Sequence, residues 1–205
     1  MSFPTYAVST ELDAVNQILS SVGQAPVTTL DLQNPEVSIV LNTLREVNRQ
    51  VQAEGWIYNT ERKYEFTPDS STKHIAYPSN VLQLDTNRDY HHDKYDVVRR
   101  DGKLYDRNKH TFEFEDTVKA DVVWYFDFTD VPPAIQAYIT ARAARMCAVK
   151  MVGDRELQAL LQEQEMMTRA AAIEYDCNQG DYSMFGFRDG ENYYNSYQPF
   201  QALMR

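Results

Sequence analysis

No stretch of the 205 residues approaches the ~20 consecutive apolar side chains needed to cross a bilayer. The opening MSFPTYAVSTELDAV has neither the basic flank nor the apolar run of a secretory leader. Membrane insertion and secretion are therefore not expected. Cysteine is scarce: Cys147 and Cys177 form no CxxC spacing and read as reduced core thiols of a protein made in a cytosol. Positive charge is also short, with 20 Lys and Arg against 30 Asp and Glu, a formal net charge of −10. A protein that grips a nucleic-acid groove gains affinity by neutralising phosphates, so that class is excluded. Among the seven glycines there is no phosphate-cradling loop, and no GxSxG elbow, HExxH helix or Cys–His nucleophile occurs.

What is present is apolar and aromatic mass. Hydrophobic residues make up 43% of the chain, enough for a core, so a wholly disordered chain is excluded. Tyrosine is prominent, 14 Tyr beside 9 Phe, and its apolar ring with a polar tip suits protein contacts.

Residues 1–55 read as a helical pair. Thr10 caps a one-face pattern of Leu12, Val15, Ile18, Leu19 and Val22, closed by Gly23 and Pro26. Asn34-Pro35 starts a second helix, with Val37, Val40, Leu41, Leu44, Val47 and Val51 on one stripe up to Gly55. Residues 131–177 form a second pair. Asp130-Val131-Pro132-Pro133 opens an alanine-rich helix through Ile135, Tyr138, Ile139, Met146, Val149 and Val152. Gly153 ends it, and Asp154 caps the next, through Leu157, Leu160, Leu161, Gln164, Met167, Ala171 and Tyr175. So short a junction makes the last two helices antiparallel neighbours.

Residues 56–130 switch to short β-like runs: Tyr64 to Phe66, Ile75 to Tyr77, Val81 to Leu84, Tyr95 to Arg100, Phe112 to Phe114 and Val118 to Phe128. Asp101-Gly102 between two such runs is a two-residue hairpin signal. The segment holds 15 acids and 11 bases, the composition of a sheet with a large solvated face. The expected fold is α+β, a discontinuous four-helix bundle with an inserted small antiparallel β module. Residues 178–205 would add an extended arm. Its Tyr182, Phe185, Phe187, Tyr193, Tyr194, Tyr197 and Phe200 follow no helical or strand period; such rings fill pockets on another subunit, the alternatives being packing against their own domain or a floppy terminus. Trp56 and Trp124 read as core.

The polar clusters offer little chemistry. Asp85 to Asp89 imitates the start of a calcium loop, but Tyr90 stands where a glycine is needed and Asp96 where a glutamate is needed. His91 and His92 point to opposite sides of an extended segment, so with His74 or His110 they make a poor metal site. Glu113, Glu115 and Asp116 invite comparison with a glycosidase pair, yet Phe-in, Glu-out alternation on a strand explains them more simply. No catalytic residue, cofactor or metal is expected.

One resemblance adds to this reading. Glu11 to Gly23 followed by Pro26-Val27-Thr28-Thr29-Leu30 resembles the opening of the tail tubular protein A family of short-tailed, podovirus-type bacteriophages. In order along the chain, Val47 to Gln52 leading to Gly55-Trp56, Leu104-Tyr105-Asp106-Arg107, Leu161 to Glu165 and Glu174-Tyr175 resemble the same pattern. The resemblance implies a structural virion protein, a dodecameric adaptor or gatekeeper ring between the portal and the tubular nozzle. Tail fibres would attach nearby, and viral DNA would pass without sequence-specific binding. Synthesis would be in the host cytoplasm. The isolated chain would be a monomer if its interfaces form only on a portal. Two rivals are a virion-associated glycan hydrolase using Glu113 and Glu115, and an assembly factor that leaves the particle. By segment the charge is −4 over 1–55, −4 over 56–130, −1 over 131–177 and −1 over 178–205, so the aromatic arm is nearly neutral.

Overall fold

The computed structural model describes residues 10–86 and 94–180. Helix α1 (Glu11–Ser21) starts with a capping box: the Thr10 hydroxyl accepts from the Asp13 amide at 3.2 Å, and the Asp13 carboxylate accepts from the Thr10 amide at 3.0 Å. Helix α2 (Pro35–Gln52) opens with the Asn34 side chain accepting from the Glu36 amide at 3.0 Å, and Pro35 supplies a preset φ. Helix α3 (Pro133–Met151) begins behind Pro132. Gly153 turns the chain at φ +72°, and the Asp154 carboxylate then caps α4 (Arg155–Gln179) at 2.9 Å.

Helix α3 is the hub, packing against α1, α2 and α4. Ten of its residues are buried, and five of these are small: Thr140, Ala141, Ala143, Ala144 and Ala148. With so little side-chain bulk, neighbouring helices approach on several sides. The helical core comprises Val15, Ile18 and Leu19 of α1, Val40, Leu44 and Val47 of α2, and Ile135, Tyr138 and Ile139 of α3, with Trp56 and Phe128 closing one end. Helix α4 returns along α3, as Arg145 paired with Glu165 and Arg169 over the Tyr138 ring require of antiparallel neighbours.

The β elements carry a second, separate core. Strands β1 (Thr60–Phe66), β5 (Val118–Trp124) and β2 (Val81–Asp85) form one antiparallel sheet in the order β1-β5-β2. Strand β5 alternates strictly, burying Val118, Ala120 and Val122. In β1 the pairing slips between Glu61 and Tyr64, where Lys63 takes φ +57° and its amide donates to the Asp121 carboxylate at 3.1 Å. Strands β3 (Val97–Arg100) and β4 (Lys103–Asp106) make a hairpin, and Asp101 and Gly102 both lie at positive φ, as a type I′ turn demands. Phe66, Ile75, Tyr95, Val97, Leu104 and Phe114 fill the space between sheet and hairpin.

The α+β class is observed, with four helices and small antiparallel sheets among the described residues. Two expected strands are not. Ile75 to Tyr77 is irregular backbone lying beside β4, with Leu104 donating to Ile75 at 2.9 Å and Tyr77 donating to Gly102 at 2.9 Å. Phe112 to Phe114 also has no strand partner. Phe114 is buried and Glu113 exposed, so the alternation of burial is real, but the Phe114 amide bonds to Lys73 in a loop. Cys147 is buried, but Cys177 is exposed on α4 and is not a core thiol.

Candidate interaction surfaces

Helix α4 differs from the other three in how little it buries. Only Leu161 and Ala172 are fully covered, whereas Leu160 is 66%, Met166 61%, Met167 63% and Ile173 45% exposed. The inward row is completed by half-buried Leu157, Glu165, Thr168, Tyr175 and Asp176. The Asp176 carboxylate accepts from the Ile57 amide at 2.8 Å, which ties the far end of α4 to the turn after α2. Val149 and Val152, at the end of α3, are also about half exposed. Of the periodic positions that predict α4, Leu157, Leu161 and Tyr175 face inward, whereas Leu160, Gln164, Met167 and Ala171 are exposed.

A depression of about 230 Å³ lies between α3 and α4, lined by Arg145, Gln162, Glu165, Met166 and Arg169. Its charges are mutually engaged. Arg145 pairs with Glu165, while Glu54 receives Arg142 at 3.1 Å and Arg169 at 3.7 Å. These pairs tie α3 to α4 and to Glu54 beyond the end of α2.

The β hairpin is locally cationic. On its outward face Arg100 stacks over Tyr105 at 4.1 Å, and Lys103 Nζ lies 3.0 Å from His74 Nδ1. Tyr105 meets Phe112 edge-on at 4.9 Å, and Arg99 covers Tyr77 at 4.8 Å. The guanidinium groups rest on ring faces, which suits a desolvated cation better than water alone.

The polar residues singled out in the sequence are mostly in structural service. Asp96 pairs with Arg107 at 2.6 Å, and Asp85 ends β2, while Asp89, Tyr90, His91 and His92 lie outside the described residues. His110 is exposed. Glu115 is exposed like Glu113, and Asp116 pairs with Lys94, which holds its carboxyl below the ordinary range by a hydrogen bond to the ammonium. Among the described residues no group of three or more His, Cys, Asp or Glu is placed to hold a metal. Leu104, Tyr105, Asp106 and Arg107 also have structural contacts: Leu104 is in the core, and the buried Asp106 carboxylate accepts from the Asn108 amide at 2.9 Å and from the Asp96 amide at 3.3 Å. Trp56 is core, with its indole donating to Val51 at 2.7 Å, and Trp124 is partly buried against Tyr64 at 5.2 Å. Tyr182, Phe185, Phe187, Tyr193, Tyr194, Tyr197 and Phe200 lie outside the described residues.

Sequence reasoning passed over one buried polar cluster. Asn48, Gln52 and Asn59 are each at most 2% exposed and join α2 to the end of β5. Gln52 reaches Phe126, and the Asn59 amide donates to Gln52 and Trp124 carbonyls at 2.9 Å each. Asn48 and Gln52 are four apart and adjoin the apolar stripe, so a wider reading of that face would have found them.

Comparison with known proteins agrees with the recurring motifs. Residues 12–182 match the model of a family described as tail tubular protein. Over 123 residues the chain is 32% identical to Tail tubular protein A of Klebsiella phage KP34, an alignment covering 60% of this chain and 62% of that protein. A match over this much of the chain places it in the tail tubular protein family of phage tails.

Proposed function

We propose that the chain is a structural subunit of the virion tail, an adaptor ring that joins the portal to the tubular nozzle and lines part of the DNA ejection channel. The observation that carries this reading is the outer face of α4. A helix tied down at both ends yet showing four large apolar side chains to solvent is built to be covered by another surface. Family membership says that the setting is a phage tail. A closed ring needs two different patches on each subunit. The α4 face supplies one, and the cationic hairpin or the aromatic arm supplies the other. Self, portal, nozzle and fibre are the protein partners, and DNA passes without being read.

Residues 1–55 and 131–177 act in this scheme as the ring-forming helical body, 56–130 as a projecting module, and 178–205 as an arm. Tyr182, Phe185, Phe187, Tyr193, Tyr194, Tyr197 and Phe200 are its partner-binding anchors. No catalytic step is assigned; Glu113 and Glu115 are both exposed.

Cryo-electron microscopy of purified tails tests the proposal. The expected result is a closed dodecameric ring of this chain between portal and nozzle. Its absence from mass-analysed virions, or a position on a fibre or inside the capsid, would overturn the adaptor assignment.

A further inference from the structure

Charge is sorted around α4. At ~100° per residue, Glu156, Leu160, Glu163, Met167 and Glu174 fall within about 60° of one another. All five are exposed, and none of the three carboxylates has an ion pair among the described residues. Neither arginine of the helix, Arg155 or Arg169, lies on this stripe. Carboxylates thus alternate with large apolar side chains over ~27 Å, at ~1.5 Å per residue.

The β3–β4 hairpin has the opposite chemistry. Residues 94–110 hold six Lys and Arg against three Asp, a net +3 on a chain of −10. Arg100 and Lys103 pair directly across the two strands, so both side chains leave the same face, and Tyr105 shares it. Neither Arg100 nor Lys103 meets a carboxylate among the described residues. The Tyr105 ring covers one face of the Arg100 guanidinium and leaves its N–H edge open to a carboxylate.

We propose, on the ring reading above, that the β3–β4 hairpin of each subunit lies on the α4 stripe of the next copy. Arg100 and Lys103 engage Glu163, while the Tyr105 ring rests against Met167 and Leu160. Charge complementarity selects a second copy as the occupant, since the cationic patch belongs to a chain that is acidic elsewhere. Size agrees. Four-residue strands run ~13 Å at ~3.3 Å per residue, and Leu160 and Met167 lie ~10 Å apart with Glu163 between them. Thioethers also make favourable contacts with ring edges.

Symmetry follows from the same charges. Two α4 stripes repel one another, and so do two hairpins, which disfavours a two-fold dimer through either patch. Stripe against hairpin is the attractive combination. It is head-to-tail, uses each patch once per subunit, and closes a ring when repeated at the right angle. The apolar side chains supply the buried area, and the carboxylates and cations fix the register.

Charge reversal with rescue tests the contact. Tails are assembled with a variant as the sole source of this chain, and copies per tail are counted by quantitative mass analysis. The helix variant carries Glu163→Arg and Glu174→Arg, and the hairpin variant carries Arg100→Glu and Lys103→Glu. Each is expected to lower incorporation by about tenfold or more, and the chain carrying all four changes is expected to recover most of it. Circular dichroism and thermal melts of the isolated variants show whether folding is intact. Arg100→Glu alone, at an exposed position, replaces the hairpin variant if the half-buried Lys103 does not tolerate reversal. Normal incorporation of a folded helix or hairpin variant would overturn the contact. Failure of the fourfold chain to recover would also overturn it, by assigning the two patches to portal or nozzle surfaces. In both cases a ring seen in wild-type tails would leave the adaptor reading standing, whereas absence of the wild-type chain from tails would overturn both.

Discussion

The side-chain amide of Gln52 pairs with both backbone groups of Phe126, donating to its carbonyl at 2.8 Å and accepting from its amide at 2.8 Å. One carboxamide thereby imitates a strand partner just where β5 has run out of strands. Asn16 repeats the device at the other end of the bundle, donating to the Val27 carbonyl at 2.9 Å and accepting from the Val27 amide at 2.7 Å. In both places a helix holds an extended segment by one residue.

Replacing Gln52 with Leu therefore orphans two backbone groups at a buried site. Each costs ~1–3 kcal/mol, so a loss of about 2–6 kcal/mol is expected. Urea unfolding measures it, and amide exchange should show the residues around Phe126 opening first. Asn16→Ala, at a partly buried site, should cost about 1–2 kcal/mol by the same logic.

Leu160 and Leu161 are adjacent, yet their substitutions should behave oppositely. Leu161→Ala removes a 6%-exposed side chain from the contact between α3 and α4 and should cost about 2–4 kcal/mol. Leu160→Glu should leave stability within about 0.5 kcal/mol, as exposed changes do, while reducing incorporation into tails. Thermal melts and tail-assembly yield separate the two effects.

The start of α1 carries an acid-sensitive bond. Hydrogen bonds from Thr10 hold the Asp13 carboxyl below its ordinary range. Because the folded value is the lower one, the stabilisation is present above the unfolded carboxylate pKa and is lost as pH falls through the folded value. Chemical shifts of α1 amides should report fraying only at acid pH. Thr10→Ala should cost about 1 kcal/mol at neutral pH and flatten that dependence.

For the proposed adaptor ring, the excess of acid predicts a channel wall that does not hold DNA. Neutralising phosphates releases counterions and would trap the passing duplex. The assembled ring should have no continuous inner track of Arg and Lys, as cryo-electron microscopy at side-chain resolution would read. The cationic hairpin bearing Arg99, Arg100 and Lys103 should accordingly face away from the lumen.

The parts of this fold that were legible in the sequence are those decided locally. Thr10, Asn34 and Asp154 cap the helices as their spacing predicts, and Asp101-Gly102 turns the hairpin, because a cap or a type I′ turn depends on a few adjacent residues. Ile75 to Tyr77 and Phe112 to Phe114 were misread as strands because alternating burial does not by itself require a partner strand. The polar cluster at Gln52 was not visible because its partners stand more than seventy residues away. For α4, periodicity identified the helix and part of its inward row, Leu157, Leu161 and Tyr175, but did not separate them from the outward Leu160 and Met167, since both sides carry large apolar residues.

The placement of α3 also governs when this protein can fold. Helices α1 and α2 are made first, but the element that buries their apolar faces follows only after the whole β module has been synthesised. Until then Val40, Leu44 and Val47 have no permanent cover. Closing a loop of this length costs entropy that grows only slowly with its size, and a module already folded shortens the loop that must close. The nascent chain therefore gains from completing its β core before the bundle. Substitutions that delay the module, such as the loss of Leu104 or Val122, should expose the first two helices to aggregation on the ribosome.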